Sequence, residues 1–387
     1  MEELNSGYEN VNTQSSNKMV KRIFFLTIMV VIVLGCFAFS FRYVSDSMTS
    51  RENAPEIKID PDKGIVVYIP TGSTTEKIAS ILKENGIIKN PFYFKLMSNI
   101  NGYDGTYKSG AHILSKELSY DQLMIILSSK PEGIRIMIPE GNTINQIAEN
   151  LLNKKLITDK EKFNKVANTA TFNYKFLQEL PNRENRLEGY LFPDTYDFGL
   201  KVSEEEIIKI MLNNFNDRFK PEYYNKINEL NAKYPKLNMT LDKVVILASI
   251  IEREARVPEE RARIAGVFYN RLTGRNGAPK RLESCATIQY IYSTKETGIS
   301  EENKNRIMKG IISDAETKID DPYNTYKYEN LPIGPICNPG KASIEAALNP
   351  EDTRYNYFVV KKGGNGNHVF SETLAQHQNA VRENATN

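Results

Sequence analysis

Two glutamates close a long apolar run in the C-terminal half of the chain. Residues 242–256 read DKVVILASIIEREAR, and the eight residues from Val244 to Ile251 carry no charge. A helix that is apolar on every side is a buried helix, so this one should end with Glu252 or Glu254 at the edge of a packed core. Burial disfavours the charged carboxylate and raises its pKa, which suits a group that must act as a general acid near neutral pH.

Helical geometry separates the two glutamates. At about 100° per residue, Glu252 shares a face with small residues such as Ala248 and Ser249, which would let a ligand or another chain segment approach closely. Glu254 instead continues a face of large aliphatic residues. Glu252 is therefore the better candidate for a cleft. The alternative is that both belong to a surface ion-pair network with the charged residues that follow.

Polar and aromatic residues suited to carbohydrate lie in three further segments. Residues 187–196 (LEGYLFPDTY) contain two carboxylates that could bind a sugar or cap local turns. A loop after Pro322 carries side chains that could stack on sugar rings or pack in the core. His368 and His377 follow a Gly-rich turn and suit a cleft wall or local caps better than a zinc site. The binding candidates from these segments are Glu188, Asp194, Tyr323, Asn324, Tyr326 and His368.

An uncharged run near the N-terminus predicts a membrane anchor. The 19 residues of 23–41 would form a helix of roughly 28 Å, close to the thickness of a bilayer core. Lys18, Lys21 and Arg22 crowd its N-terminal edge, so the positive-inside rule places residues 1–22 in the cytoplasm and the rest outside. A cleaved signal peptide is the first alternative, although the run is long for one. Lipidation of Cys36 is the second.

The chain resembles itself at an offset of 69 residues. After a polar linker at 42–63, Pro70-Thr-Gly72 and the helix pattern behind it align with Pro139-Glu-Gly141 and its own helix. Each copy predicts a strand, a turn and a capped helix. This pattern resembles the LysM family, small βααβ modules that bind N-acetylglucosamine-containing glycans, and it covers 64–165. The other interpretation is a structural repeat whose apolar residues are simply core.

Composition limits the remaining classes of function. The chain has 387 residues and a net charge of +2, without the basic excess expected of a nucleic-acid-binding protein. Three Cys and three His, in no CxxC or HExxH arrangement, predict neither a metal site nor a disulfide framework, and no cofactor is expected. We predict an α+β fold: a transmembrane helix, a LysM-like region, and a mixed α/β catalytic domain at 166–387 with Glu252 on its central helix.

Several motifs in one order resemble the MltG/YceG-like family of membrane-anchored endolytic murein transglycosylases. The signature segment is LASIIEREARVPEERARIAGVFYNRL at 247–272, and the similarity spans about 60–385. The other matching segments are LEGYLFPDTY at 187–196, TIQY at 287–290, YNTY at 323–326, LPIGPICNPG at 331–340, residues 343–350 and the stretch from Asn367 to His377.

The resemblance implies cleavage of peptidoglycan glycan strands at the cytoplasmic membrane, with peptidoglycan synthases as partners. It maps the family's catalytic glutamate onto Glu252 and adds Asn338 to the binding candidates. Such an enzyme needs one acid/base carboxyl, because the C6 hydroxyl of the same muramic acid is the nucleophile and a 1,6-anhydro end remains. One departure is visible, since LESCAT at 282–287 stands where many relatives have L-Q-[ST]-D-x-T.

Two other functions remain open at this point. A non-catalytic scaffold could use the repeat to hold glycan near a synthesis complex. A true hydrolase would need a second carboxylate about 5–9.5 Å from the first, and Glu188, Asp194 or Glu254 could supply it. The sequence does not say whether Cys285 and Cys337 form a disulfide.

Overall fold

The computed structural model of the chain describes residues 22, 24–40, 42, 57, 59, 64–70, 72–131, 133–199, 202–295 and 298–384. Residues 24–40 are helical, and their large apolar side chains are exposed. Among the described residues, no helix combines the length and the apolar character needed to cross a membrane. The ends of the predicted anchor at Ile23 and Phe41, the tail before residue 22 and most of the predicted linker lie outside the described residues.

From residue 64 onward the described chain is mixed α+β, as predicted. The strands are β1 Ile65–Ile69, β2 Gly110–Leu114, β3 Ile134–Met137, β4 Thr195–Phe198, β5 Tyr357–Val360 and β6 His368–Ser371. They form the two-stranded sheets β1–β2, β3–β4 and β5–β6. The helices are α1 Thr75–Glu84, α2 Pro91–Ile100, α3 Tyr120–Ser128, α4 Ile144–Asn153, α5 Lys160–Thr169, α6 Lys175–Gln178, α7 Glu204–Arg218, α8 Pro221–Lys233, α9 Leu241–Glu254, α10 Arg261–Thr273, α11 Cys285–Thr294, α12 Glu301–Met308, α13 Asp314–Thr317, α14 Lys341–Leu348 and α15 Leu374–Asn384.

The repeat predicted from the sequence is present as two strand–turn–helix units. Thr74 and Thr143 cap α1 and α4, each accepting a backbone N–H from three residues later through its hydroxyl. Gly72 and Gly141 hold φ angles of +77° and +78° in the two turns, a conformation that favours glycine. The first copy continues through one further helix, α2, to a second strand, whereas the second copy continues through two, α5 and the short α6. The strand, turn and capped helix of each copy are therefore confirmed.

The chain divides into two compact units. Among the described residues, the smaller comprises the chain up to Val67, Ser73–Lys108 and Ile113–Lys130, and the larger comprises Tyr68–Gly72, Ser109–His112 and the chain from Pro131 onward. The second copy of the repeat thus belongs to the larger unit, whereas the sequence had grouped both copies in 64–165. The second copy belongs to the larger unit because its strand β3 pairs antiparallel with the distant β4, from Ile134 opposite Phe198 to Met137 opposite Thr195.

The smaller unit contains α1, α2 and α3. In α1, Ile78 and Leu82 face the interior at a spacing of four residues, and α1 packs against α2, which in turn contacts α3. The Ser119 hydroxyl caps α3, and the Gln122 side chain reaches back to the Ser119 backbone N–H.

Helix α9 is the central element of the larger unit. Thr240 caps its start, and every residue from Val244 to Ile251 is buried, as the uncharged run predicts. It packs against α8, α10, α11 and α14. Its last turn carries the two glutamates to the edge of this core, which is the position that the sequence predicts for catalysis.

Candidate active site

Glu252 lies at the end of α9 with its carboxyl group fixed by two contacts. Its side chain is 8% exposed. Oε2 accepts the backbone N–H of Gly340 at 3.0 Å, and Oε1 lies 3.5 Å from Nη2 of Arg261, the first residue of α10. The Arg261 guanidinium is itself held by Ser343, whose hydroxyl accepts from Nε at 3.1 Å. A backbone N–H and a guanidinium are partners that a carboxylate accepts, so the acid has a defined orientation.

Ser249 ties the loop before α14 to α9. Its buried hydroxyl accepts the backbone N–H of Ile336 at 3.0 Å, and its carbonyl oxygen accepts from the Cys337 thiol at 3.3 Å. The small face of α9 therefore receives a chain segment, which is one of the two occupants expected from the sequence. Because this segment leads directly to Gly340, it fixes the N–H that Glu252 accepts.

Asn338 connects three parts of the larger unit. Its Oδ1 accepts the N–H groups of Gly189 and Leu191 at 3.0 and 2.8 Å, and its Nδ2 donates to the Asn142 carbonyl and to Glu188 Oε1, both at 2.9 Å. The residue is fully buried. This binding candidate therefore links segments inside the protein, because every donor and acceptor of its side-chain amide has a protein partner.

The turn at 139–141 lies against the end of α9. The Gly141 N–H donates to the Asn338 carbonyl at 2.9 Å. A Cβ added to Gly141 would lie 3.6 Å from Glu252 Cγ, and one added to Gly340 would lie 1.9 Å from Glu140 Oε1. The Glu140 side chain therefore covers Gly340 and occupies the space that any larger residue would need.

Glu140 is the residue that sequence reasoning missed. Its side chain is exposed, and its pKa is raised, first by desolvation and then by the charge of Glu252, while Arg261 lowers it. A signal was present in the repeat, because the first copy has Thr71 where the second has Glu140. The site thus holds two carboxyl groups and one guanidinium, a set that can donate and accept protons at a bound sugar.

A cavity of about 590 Å³ opens beside Arg261. It lies between α8, α10 and α14, and Arg261 on its wall also contacts Glu252. Its other lining residues are Glu222, Tyr223, Lys226, Pro258, Glu259, Ala262, Ala342, Glu345, Ala346 and Asn349.

Glu188 is buried rather than exposed in a cleft. It is 1% exposed, and its carboxyl accepts the Ile144 N–H at 3.1 Å and the Asn338 amide at 2.9 Å, with the Tyr290 hydroxyl at 3.5 Å. Desolvation raises its pKa to about 8 against the opposing effect of these hydrogen bonds. In this position Glu188 joins the start of α4 to Asn338 and has no exposed surface for a sugar.

Asp194 is half-buried and makes an ion pair. Its Oδ2 accepts from Arg218 at 2.8 Å and from the Asn214 amide at 3.0 Å, while Oδ1 accepts the Thr195 N–H at 2.8 Å. These contacts match the capping alternative and leave part of the carboxylate accessible.

The YNTY loop is largely internal. Tyr323 is 5% exposed, with its ring centroid 4.8 Å from that of Tyr290. Asn324 is fully buried: its Nδ2 donates to two carbonyls of the preceding turn, and its Oδ1 accepts the Tyr326 N–H at 2.9 Å. Tyr326 is half-buried, and its hydroxyl lies 3.0 Å from Cys285 Sγ.

The two candidate histidines have separate surroundings. His368 Nδ1 lies 2.7 Å from Glu260 Oε2, and the His368 backbone N–H also donates to that carboxylate. His377 stacks on Tyr357 with centroids 5.1 Å apart. In the part of the chain that the structure describes, no cluster of three His, Cys, Asp or Glu side chains is arranged to hold a metal.

Glu254 does not lie in the surface ion-pair network that the sequence offered as an alternative. It accepts from the Ser284 hydroxyl and from the Ala286 N–H at the start of α11, and desolvation raises its pKa. This environment follows from the large aliphatic face that Glu254 continues, which packs inward. Cys285 and Cys337 are both free thiols with different contacts.

Comparison with known proteins points to one family. The profile of the YceG-like family matches residues 67–383. An endolytic murein transglycosylase of Bacillus subtilis is 32% identical over 337 residues, covering 84% of this chain and 86% of the relative. One of Streptococcus pneumoniae D39 is 29% identical over 386 residues, and the match covers 92% of this chain but 65% of that longer protein.

A solved structure agrees with this match. The 2.6 Å crystal structure of a putative YceG-like protein from Listeria monocytogenes superposes with a TM-score of 0.51 at 30% identity, covering 82% of this chain and 99% of the other. Since the family profile spans most of the chain and the described fold aligns with a YceG-like structure, this protein belongs to the YceG-like family.

Proposed function

We propose that this protein is an endolytic murein transglycosylase, which cuts the β-1,4 bond between N-acetylmuramic acid and N-acetylglucosamine within peptidoglycan strands. The observation that carries the proposal is Glu252, held by Gly340 and Arg261 at the end of a buried helix in a chain whose relatives carry that activity in their names. No cofactor is needed for this reaction.

Glu252 is the catalytic residue of this proposal. Cleavage requires a proton for the leaving oxygen at C4 of N-acetylglucosamine and removal of the proton from the C6 hydroxyl of the muramic acid. Attack by that hydroxyl on C1 closes the 1,6-anhydro ring, so no water is consumed. A carboxyl that is fixed by a backbone N–H and stays 8% exposed can reach a sugar while keeping its orientation.

Some of the binding candidates can contact sugars directly, whereas the others support the loops and walls of the site. Asp194 and Tyr326 keep accessible surface and can contact sugars directly. Glu188, Asn338 and Asn324 act through the loops that they hold. Tyr323 and His368 likewise support the walls by packing and by the contact with Glu260. The cavity beside Arg261, which also contacts Glu252, supplies room for sugar rings.

The proposal also covers the membrane anchor, the roles of the two regions and the partner proteins. The uncharged run at 23–41 anchors the protein in the cytoplasmic membrane, with residues 1–22 inside and the catalytic domain outside. The LysM-like region at 64–165 engages glycan, and the domain at 166–387 carries the chemistry. Peptidoglycan synthases, which make the strands that this enzyme cuts, are the expected protein partners, and cleavage terminates nascent strands.

Mass spectrometry of digested glycan strands tests the proposal. We expect fragments whose muramic acid ends are lighter by one water than ordinary reducing ends. Reducing ends would identify a hydrolase instead, and the absence of any product from purified full-length protein would favour a scaffold. Internal cuts, seen as a rapid fall in strand length, distinguish endolytic action from trimming at the ends.

A further inference from the structure

We propose that Glu140 is a second catalytic carboxyl, which protonates the leaving oxygen while Glu252 accepts the proton of the C6 hydroxyl. This inference rests on the proposed transglycosylase function and divides its two proton transfers between two residues. It assigns a chemical role to the turn at 139–141, which belongs to the repeat that resembles a glycan-binding module.

The contacts at Gly340 set an upper limit on the distance between the two carboxyl groups. Its nitrogen lies 3.0 Å from Glu252 Oε2, and a Cβ on it would lie 1.9 Å from Glu140 Oε1. With ordinary bond lengths, the nearer oxygens of the two side chains are at most about 8 Å apart. Carboxyl pairs that act on glycosidic bonds are about 5–9.5 Å apart, so one sugar linkage can contact both.

The two carboxyl groups differ in their hydrogen-bond donors and nearby charges, as an acid and a base that act on one bond require. Glu252 accepts a backbone N–H and faces a guanidinium, so donors already hold both of its oxygen atoms. Glu140 has no such donor among its described contacts, and its pKa is raised by desolvation first and by the charge of Glu252 second, although Arg261 opposes this. Two nearby carboxyl groups with different partners can take the separate acid and base roles of one reaction.

The turn that carries Glu140 is well positioned for this role. The Gly141 N–H donates to the Asn338 carbonyl at 2.9 Å, and the Asn338 N–H donates to the Asn142 carbonyl at 2.8 Å. These reciprocal bonds fix the backbone of the turn to the segment leading to Gly340. The Glu140 side chain itself is exposed, so a glycan strand can reach it.

The reaction balances with these two residues. The bond between C1 of muramic acid and O4 of N-acetylglucosamine breaks, and O4 keeps the electron pair and takes the proton of Glu140. The C6 oxygen bonds to C1 and gives its proton to Glu252. Transfer of that proton through solvent from Glu252 to Glu140 restores the starting state.

The experiment compares Glu140→Gln, Glu252→Gln and Glu302→Gln in the full-length protein on two substrates. The first is isolated glycan strands. The second is a muramoyl oligosaccharide whose leaving group is 2,4-dinitrophenolate, which departs without protonation. Glu302 is the control because it is an exposed carboxylate on α12, outside the region at 64–165. Thermal unfolding of each variant confirms that the fold is retained.

On glycan strands, we expect Glu140→Gln to lose about 10²–10⁴-fold in kcat, the contribution of one general acid, and Glu302→Gln to behave like the wild type. On the dinitrophenyl substrate, Glu140→Gln should approach the wild-type rate while Glu252→Gln stays inactive. The alkaline fall of the wild-type pH profile on glycan should be absent from the residual activity of Glu140→Gln, because that limb reports deprotonation of Glu140 beside Glu252 and Arg261.

Two results overturn the assignment: Glu140→Gln with wild-type activity on glycan, or an equal loss on both substrates, which indicates binding or structure instead of proton donation. An active Glu140→Gln together with an inactive Glu252→Gln leaves the proposed transglycosylase function intact. Activity in Glu252→Gln would instead remove the proposed function itself.

Discussion

Gly340 donates its backbone N–H to Glu252 Oε2 at 3.0 Å, so the start of α14 is bonded to the end of α9. Its φ of −74° is available to any residue, and backbone conformation therefore does not require glycine here. The available space requires glycine instead, because the Glu140 carboxyl lies where the Cβ of any other residue would be. One small residue thus brings two carboxyl groups to the same site.

Gly340→Ala should lower kcat/KM by about tenfold or more, because the new methyl group displaces Glu140 and moves the N–H that Glu252 accepts. The free energy of unfolding should change by less than about 1 kcal/mol, since Glu140 is exposed and can turn into solvent. The measurements are glycan digestion and denaturant unfolding. Lys341→Ala, at the next position, is the control and should leave both quantities unchanged. Normal activity in Gly340→Ala would contradict this account.

Glu252→Gln should abolish cleavage with the fold intact. Glutamine is nearly isosteric and still accepts the Gly340 N–H, but it can neither donate nor recover a proton as an acid, and the loss should be at least about 10²–10⁴-fold. Product formation on glycan strands and the thermal unfolding temperature are the two readouts. The matched control is Glu302→Gln, at an exposed carboxylate on α12. Glu254 is unsuitable as a control because it accepts hydrogen bonds at the start of α11.

Glu188→Gln should flatten the pH dependence of stability. Burial raises the pKa of Glu188 to about 8 in the folded protein, against about 4.3 when unfolded, so between these two values the wild type takes up a proton on folding. Its contribution to the free energy of unfolding is then complete below about pH 4 and falls by about 1.4 kcal/mol per pH unit until pH 8. Glutamine mimics the protonated form at every pH.

Denaturant unfolding at about pH 5, 6.5 and 8 measures the difference in unfolding free energy between Glu188→Gln and the wild type. Glu188→Gln should gain stability relative to the wild type as the pH rises. A constant difference between the two proteins across this range would show that Glu188 is already charged in the folded state.

Asn324→Ala separates a structural role from sugar binding. The buried amide donates to the Thr317 and Ile319 carbonyls and accepts the Tyr326 N–H, so its removal should cost at least about 1–3 kcal/mol of unfolding free energy. We expect a lower unfolding temperature together with a reduced kcat. Asn303→Ala, an exposed position on α12, is the control. A stable Asn324→Ala variant with a selectively raised KM would instead assign the residue to the substrate.

Local patterns in the sequence were sufficient for the elements that position the site. The uncharged run from Val244 to Ile251 predicted a buried helix, because a helix without a polar face must be covered on all sides. The same run placed Glu252 at the edge of the core. The turn glycines and threonine caps of the two repeats were likewise readable, since a positive φ and a cap each depend on residues within one turn of the chain.

The partners of Glu252 were decided by tertiary structure alone. Gly340 is 88 residues away in sequence, and the Asn338 amide that holds the neighbouring segment bonds to Asn142, 196 residues away. No local period encodes such contacts. They arise because apolar burial brings the loop before α14 onto α9, where every buried N–H and C=O then requires a partner. That requirement buries Glu188 and Asn324, which the sequence offered as sugar ligands, and brings Glu140 beside Glu252.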